Sequence, residues 1–543
     1  MRLSGNLVDI FNKKITPAVV EIEKGIIVAI TPCQARFAHY ILPGFIDAHV
    51  HIESSMLIPS EFARLAVLHG TVSTVSDPHE IANVLGVAGI DYMLASAKKT
   101  PFKFFFGAPS CVPATPFETA GAVLDAAVTK ELLQRPDIHF LSEMMNFPGV
   151  LAGDPQVLAK IKAAQQAGKP VDGHAPGLRG ELLARYIGAG ISTDHESFSY
   201  AEGREKIEKG MKLLLREGSA AKNFEALYPL LDEYPGVCML CSDDCHPNDL
   251  RQGHIDTLVR RAVAHGLDLF NVLKAACVTP VEHYGLTVGL LRLGEAADCI
   301  VVDSLSDFRV IGTYIDGEPV CQNGVSRLAS QGEPAINNFQ ARPLAAAAFA
   351  VPANSGSIRV IRAIEDEILT QEVDEPPTLD HGQAVADSSR DLLKIAVINR
   401  YRKARPAVDF IEGFGLREGA IASSVAHDSH NIIVVGCDDA AMARAVNLLI
   451  ACKGGIAAVS RTHTEHLPLP VAGLMSNADA FEVARHYERL DRFAREQLGS
   501  PLKAPFMTLS FMALLVIPEL KLSDKGLFDS RRFAFTERFI KAS

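Results

Sequence analysis

Ile41-Leu42-Pro43-Gly44-Phe45-Ile46-Asp47-Ala48-His49-Val50-His51-Ile52-Glu53 is a short apolar run that ends in polar, metal-capable side chains. Alternate residues of an extended chain point to the same side. A period of two therefore pairs His49 with His51, a geometry suited to two imidazoles on one metal. Taking 41–47 as the first, further apolar runs followed by polar loops occur at 71–75, 102–106, 139–141, 170–173, 191–194, 211–215 and 236–242. Their spacing of roughly 20 to 40 residues leaves room for a helix after each, the rhythm of repeated βα units. Amphipathic stretches at 81–98, 120–133 and 252–266 fill that role. The expected fold is α/β, with a (β/α)8 TIM-like barrel over residues 41–284.

The flanks have a different texture. Residues 1–40 read as short strands at 19–22 and 26–30, and strands return at 297–302 and 309–314, the last followed by an Asp316-Gly317 hairpin turn. Residues 1–40 plus 285–325 are therefore expected to form one small β-sandwich. Residues 325–390 are rich in Pro, Ala, Ser and Gln and read as a linker plus the start of another domain. Beyond Asp391, strands at 392–398, 432–436 and 511–517 and helices at 439–452 and 477–498 point to a C-terminal α/β domain, placed at 345–543.

Composition narrows the partners. Across 543 residues, 53 Lys and Arg face 64 Asp and Glu, a formal net charge of −11, so a phosphate backbone would meet repulsion and nucleic acid is not expected. Hydrophobic residues make up 48%, enough apolar area for large cores. The ten scattered cysteines and the absence of a basic, apolar start favour reduced thiols in a cytoplasm. No run reaches the ~18–20 apolar residues that cross a bilayer, so no membrane association is expected.

In a barrel of this kind, polar residues at the C-terminal strand ends share one mouth. His49 and His51 end the first strand, Glu143 the fourth, His174 the fifth, His195 the sixth and Asp243 the eighth. Each alone reads as an ordinary hydrogen-bonded residue. Together these nitrogen and oxygen ligands suit Zn, Mn or Fe as divalent ions, and six exceed what one tetrahedral ion needs. Two ions bridged by Glu143 is the economical arrangement. Such a pair activates water, so the expected reaction is hydrolytic.

The segment from Pro43 to His51 resembles the first-strand signature of the amidohydrolase superfamily. Longer strings narrow the resemblance to the adenine deaminase family of bacterial type: His51 to Met56, Ser76 to Asn83, Ser142 to Gly149, Asp172 to Pro176, Thr193 to Ser197, Ser242 to Pro247, and Ser423 to Asn431 in the last domain. The resemblance covers nearly the whole chain. It implies hydrolytic deamination of adenine to hypoxanthine and ammonia in purine salvage, with two divalent ions, usually manganese or iron. It further implies that His49, His51 and Asp243 hold one metal, that His174 and His195 hold the other, and that Glu143 bridges where many superfamily members use a carboxylated lysine. A homo-oligomer is expected from the family alone.

Attack at C6 of the ring requires two proton transfers. Asp243 is the candidate general base and then acid, and Asp77 is a second candidate for protonating a ring nitrogen or holding a metal, with His79 and Glu80 beside it. Asp77-Pro78-His79 reads equally as a turn and helix cap. Glu196 is a candidate for orienting substrate or a ligand, or is simply an acidic helix start; Glu53 and Asn146 are similarly divided. His427, Asp428 and His430 would serve as a lid or supplementary metal site over the mouth, or as turn residues before a strand. Cys238 and Cys241 lie an odd number apart on a strand and so face opposite sides, which argues for packing over a metal site. His51-Ile52-Glu53 matches half of the zinc nucleobase-deaminase signature, but no Pro-Cys-x-x-Cys follows. No phosphate-binding loop or dinucleotide fingerprint is present. The alternatives to deamination are hydrolysis of a cyclic or linear amide, dihydropyrimidinase-like or deacetylase-like, and a non-catalytic scaffold.

Overall fold

The computed structural model describes residues 1–365 and 367–540. Eight strands line up as the repeated apolar runs imply: β1 (Phe45–Val50), β2 (Thr71–Ser76), β3 (Lys103–Ala108), β4 (Phe140–Met144), β5 (Val171–Gly173), β6 (Thr193–Asp194), β7 (Lys212–Arg216) and β8 (Cys238–Cys241). β1 to β5 pair in chain order, as do β6 to β8, all in parallel. The Ser192 amide donates to the Val171 carbonyl (2.9 Å) and links the two arcs. Closure comes where the Asp243 amide donates to the His49 carbonyl (2.9 Å) and the His51 amide donates to the Asp243 carbonyl (3.2 Å). The strands are apolar because helices cover the outside of a parallel barrel while side chains fill its interior.

The first apolar run is broken in two. Tyr40–Pro43 joins a separate eight-stranded sheet, pairing in parallel with Arg2–Asp9 and antiparallel with Cys299–Val302, and only from Phe45 does the chain enter the barrel. Gly44 allows the crossing: a Cβ there would sit 2.4 Å from the Val72 side chain. That sheet draws its strands from residues 2–43 and 299–326, so the two β segments lie side by side. The helix expected at 81–98 is divided at Gly86 (φ +61°) into His79–Leu85 and Val87–Ala97. The one expected at 120–133 begins only at Ala126, where the Asp125 side chain accepts from the Ala127 and Val128 amides.

The C-terminal part is built on a nine-stranded sheet with the helix Asp439–Cys452 packed on it. Ser357–Ala363 and Thr370–Glu375 are already strands of that sheet, so much of the stretch expected as linker is structured. The strand expected at 511–517 is not one: Pro505–Phe511 is a helix with Pro505 in its first turn, and the apolar residues after it form turns. A short apolar run fits a buried strand and a buried helix end equally well by period, and here tertiary packing decided. One apolar cluster runs from Ile46 and Val75 of the barrel to Leu393, Ile456 and Leu509 of the C-terminal part. Among the described residues no helix is long and apolar enough to cross a membrane. Cys238 and Cys241 are buried thiols whose sulfurs face the Leu230 and Leu215 carbonyls.

Candidate metal centre

Each β-strand ends with its last side chains at the barrel mouth, and there the six expected ligands meet. All six are buried. Asp243 Oδ1 lies 3.4 Å from His49 Nε2 and 3.1 Å from His51 Nε2, and the two imidazole nitrogens are 3.2 Å apart. Glu143 spans two sets of histidines: Oε1 is 3.2 Å from His51 Nε2, while Oε2 is 2.6 Å from His174 Nδ1 and 3.2 Å from His195 Nε2. His51 Nδ1 lies 3.2 Å from the Asp77 carbonyl oxygen, which can only accept. Nδ1 therefore carries the proton, and Nε2 keeps its lone pair for the cavity.

Strand β1 is held in place by a residue that is no ligand. Asp47 accepts from the Ser242 amide (3.0 Å) and hydroxyl, and its Oδ2 lies 2.9 Å from His254 Nε2, which staples the first strand to the end of the last.

The electrostatics favour anionic carboxylates. Burial opposes ionisation, yet the charge of His174 beside it holds Glu143 well below the usual carboxylate range, and Arg216 does the same for Asp243. Arg216, which ends β7, was not singled out from the sequence. Fully buried, it donates from Nη1 to Asp243 Oδ2 (2.6 Å) and also bonds to Glu196. Its signal was a charge closing the apolar run Leu213-Leu214-Leu215 at the mouth. Glu196 lies 3.4 Å from His195 Nε2 and 3.6 Å from His174 Nδ1. Burial opposes its ionisation too, but Arg216 keeps it well below its ordinary range.

Asp77 combines both readings of its turn. Oδ1 accepts from the His79 amide (3.1 Å), as a capping residue does, while Oδ2 is buried without a hydrogen-bond partner 3.1 Å from His79 Nδ1. His79 lies between the ligands and the C-terminal part: its Nδ1 is 3.6 Å from Glu143 Oε1, and its Nε2 is 3.5 Å from Glu80 and 3.7 Å from Asp428 Oδ1. Glu80 in turn accepts from both His427 Nδ1 and His430 Nε2, so the segment 427–430 is clasped onto the mouth. Burial depresses His427, but Glu80 outweighs it and raises the imidazole to about 9. Glu53 and Asn146 do local work: Glu53 accepts from the Ile81 amide (3.1 Å) and is pushed up to about 7 by burial, and Asn146 caps the helix Phe147–Ala152.

The donor set fits divalent metals. Nitrogen and oxygen atoms of His49, His195 and Asp243, of Glu143, His174 and His195, and of His51, Asp77, His79 and Glu143 each converge within 4.8 Å. Neutral imidazoles and carboxylates converging at these distances present nitrogen and oxygen lone pairs that a divalent cation would satisfy, and Asp77 Oδ2 has no hydrogen-bond partner.

Residues 40–320 match the amidohydrolase family and residues 367–534 match the adenine deaminase C-terminal domain. Among curated relatives, an adenine deaminase of Salinibacter ruber is 57% identical over 540 residues, covering 99% of each chain. One from a Sulfurovum species is 58% identical over 541 residues, again 99% of each. One from Methanosarcina acetivorans is 53% identical over 546 residues, 98% of this chain and 99% of the other.

Proposed function

This chain belongs to the adenine deaminase family of the amidohydrolases, and from that premise we propose that it hydrolyses the 6-amino group of adenine, giving hypoxanthine and ammonia, as a cytoplasmic step of purine salvage. The observation that carries the reading is Glu143, whose two oxygens each face a different set of imidazoles in one buried cavity. In this reading His49, His51 and Asp243 hold one divalent ion, His174 and His195 hold the other, and Glu143 lies between them. Manganese or iron is the expected metal, with zinc the alternative. When bound, such a pair lowers the pKa of water towards neutrality and so supplies the nucleophile.

The chain's own residues then manage charge and protons. Arg216 occupies Asp243 Oδ2, which leaves Oδ1 turned to the histidines, where it takes a proton from the attacking water and passes it to the departing amine. Asp77, whose Oδ2 lacks a hydrogen-bond partner and lies 3.1 Å from His79 Nδ1, is the second proton carrier, for a ring nitrogen. Glu196 orients: tied to Arg216, it lies close to His174 and His195 and holds that wall of the cavity in place.

The test is direct. Purified protein loaded with Mn should convert adenine to hypoxanthine, seen as a fall in the adenine absorbance band with release of one ammonia per base. Turnover of amides but not of adenine would overturn the proposal.

A further inference from the structure

The cavity above the ligands is not made by the barrel alone. Ile368, His427, Asp428, Phe511, Leu514 and Ile517, all from the C-terminal part, line it together with the metal-capable residues. Four of these are apolar. The Phe511 ring stacks on His427 at 4.9 Å between centroids and 18° between planes. The His427 amide donates to the Ser510 carbonyl (3.0 Å), and its Nδ1 is committed to Glu80, so the stack is fixed from two sides. A flat apolar roof of this kind suits the face of a heteroaromatic ring.

Two polar atoms in this roof lack a hydrogen-bond partner, the nearest charge to His427 Nε2 being the Asp244 carboxylate at 4.0 Å. Asp428 Oδ2 and His427 Nε2 are both buried without a hydrogen-bond partner, on residues that are each 3% exposed. A buried carboxylate oxygen with no donor is costly, and a cavity-lining position lets a ligand supply the donor. Only one imidazole, that of His79, separates Asp428 from Glu143, at 3.7 Å on one side and 3.6 Å on the other. A purine whose C6 sits at the ligand cluster must bridge a similar span, which brings its five-membered ring towards Asp428. There a free base offers an N–H with a lone pair beside it on N3. A nucleoside lacks that N–H, because its sugar replaces the N9 proton.

We propose that Asp428, with His427 beside it, is a specificity-determining residue that accepts the N9–H of the unsubstituted base and so restricts the site to free purine bases over nucleosides. The inference deepens the deaminase reading and rests on it. In metal-loaded protein, Asp428→Ala should raise KM for adenine roughly 10- to 100-fold, the worth of a hydrogen bond to a charged group, with kcat changed far less, and Asp428→Asn, which keeps one neutral acceptor oxygen, should fall between wild type and the alanine variant. The preference for adenine over 9-methyladenine should fall by a similar factor, since the methylated base makes no such bond to lose. Metal per chain should stay at the wild-type value. Unchanged KM and unchanged discrimination would overturn the assignment, as would loss of metal from the Asp428→Asn protein, which would make the carboxylate a ligand. Calorimetric binding of the product hypoxanthine and of 9-methylhypoxanthine to wild type and Asp428→Ala reads the same discrimination without turnover. An enzyme that fails to deaminate adenine is thereby distinguished from one in which Asp428 does not read the base.

Discussion

Glu143 concentrates the chemistry of the site in one side chain, because each of its oxygens serves a different group of imidazoles. Glu143→Gln keeps the shape but replaces one oxygen by an NH2 that can only donate. We expect elemental analysis of the variant to find at least one metal fewer per chain and its deaminase activity to collapse; two retained metals with unchanged activity would refute the bridge. Glu118 makes a different residue-scale prediction. Burial, reinforced by the charge of Asp428, pushes its carboxyl up from 4.5 to about 8. Between those values the folded state holds a proton that the unfolded state has lost, so this group's contribution to stability declines as pH rises through that window and is fully unfavourable above about 8. Glu118→Gln mimics the protonated form and should be more stable than wild type above pH 8, by on the order of 2–5 kcal/mol. That advantage should vanish below the ordinary carboxylate range. Urea unfolding between pH 4 and 9 checks this, and a difference that does not change with pH would count against it. The metal-capable residues were legible in the sequence because each follows an apolar run and belongs to a chemically narrow set. Arg216 was not, because an arginine at a strand end is ordinarily a solvated charge and only its burial against Asp243 and Glu196 reveals it.

At the scale of elements, the site depends on how closely β3 and β4 approach. Gly107 of β3 is the point of contact: a Cβ there would lie 2.2 Å from Ser142 Oγ and 2.7 Å from the Phe140 ring, both on the strand that carries Glu143. Gly107→Ala must therefore push β4 outward. A destabilisation of about 1–3 kcal/mol is expected from overpacking, together with weaker metal binding, because Glu143 is the residue after Ser142. Thermal unfolding and a metal titration measure the two effects separately, and a variant that matches wild type in both would show that β4 does not need this spacing. The barrel strands were readable because a parallel strand buried on both faces is a compact apolar run. What period could not settle was where such a run changes sheet, as at Pro43-Gly44, or whether it is a strand at all, as in Phe511 and the residues after it. Both outcomes depend on neighbours far away in the chain.

At the scale of the whole molecule, the C-terminal part is keyed into the barrel as well as packed against it. Glu61, fully buried in the helix Pro59–Ala66, is the main key. Its Oε1 accepts from the Ser330 hydroxyl (2.6 Å) and the Gln331 amide (3.3 Å), and its Oε2 accepts from Arg64 (2.5 Å) and the Ala480 amide (2.9 Å). Barrel helix, connecting segment and C-terminal helix thus converge on one carboxylate, and Arg64 extends the knot to Asp479 at 2.7 Å. Removing a partner from a buried ionic network leaves its donors unpaired, so Glu61→Ala should cost about 3–5 kcal/mol. The consequence for function follows from where the cavity roof comes from. If Phe511, Leu514 and Asp428 are carried by the part that Glu61 anchors, loosening the anchor should raise KM for adenine while the barrel-borne ligands still bind metal in full. Glu61→Gln, which keeps one carbonyl oxygen, should fall between wild type and the alanine variant in both stability and KM. Loss of stability with an unaltered KM would mean that the roof is held by the Glu80 clasp alone, and metal loss in step with stability would mean that the barrel itself had opened.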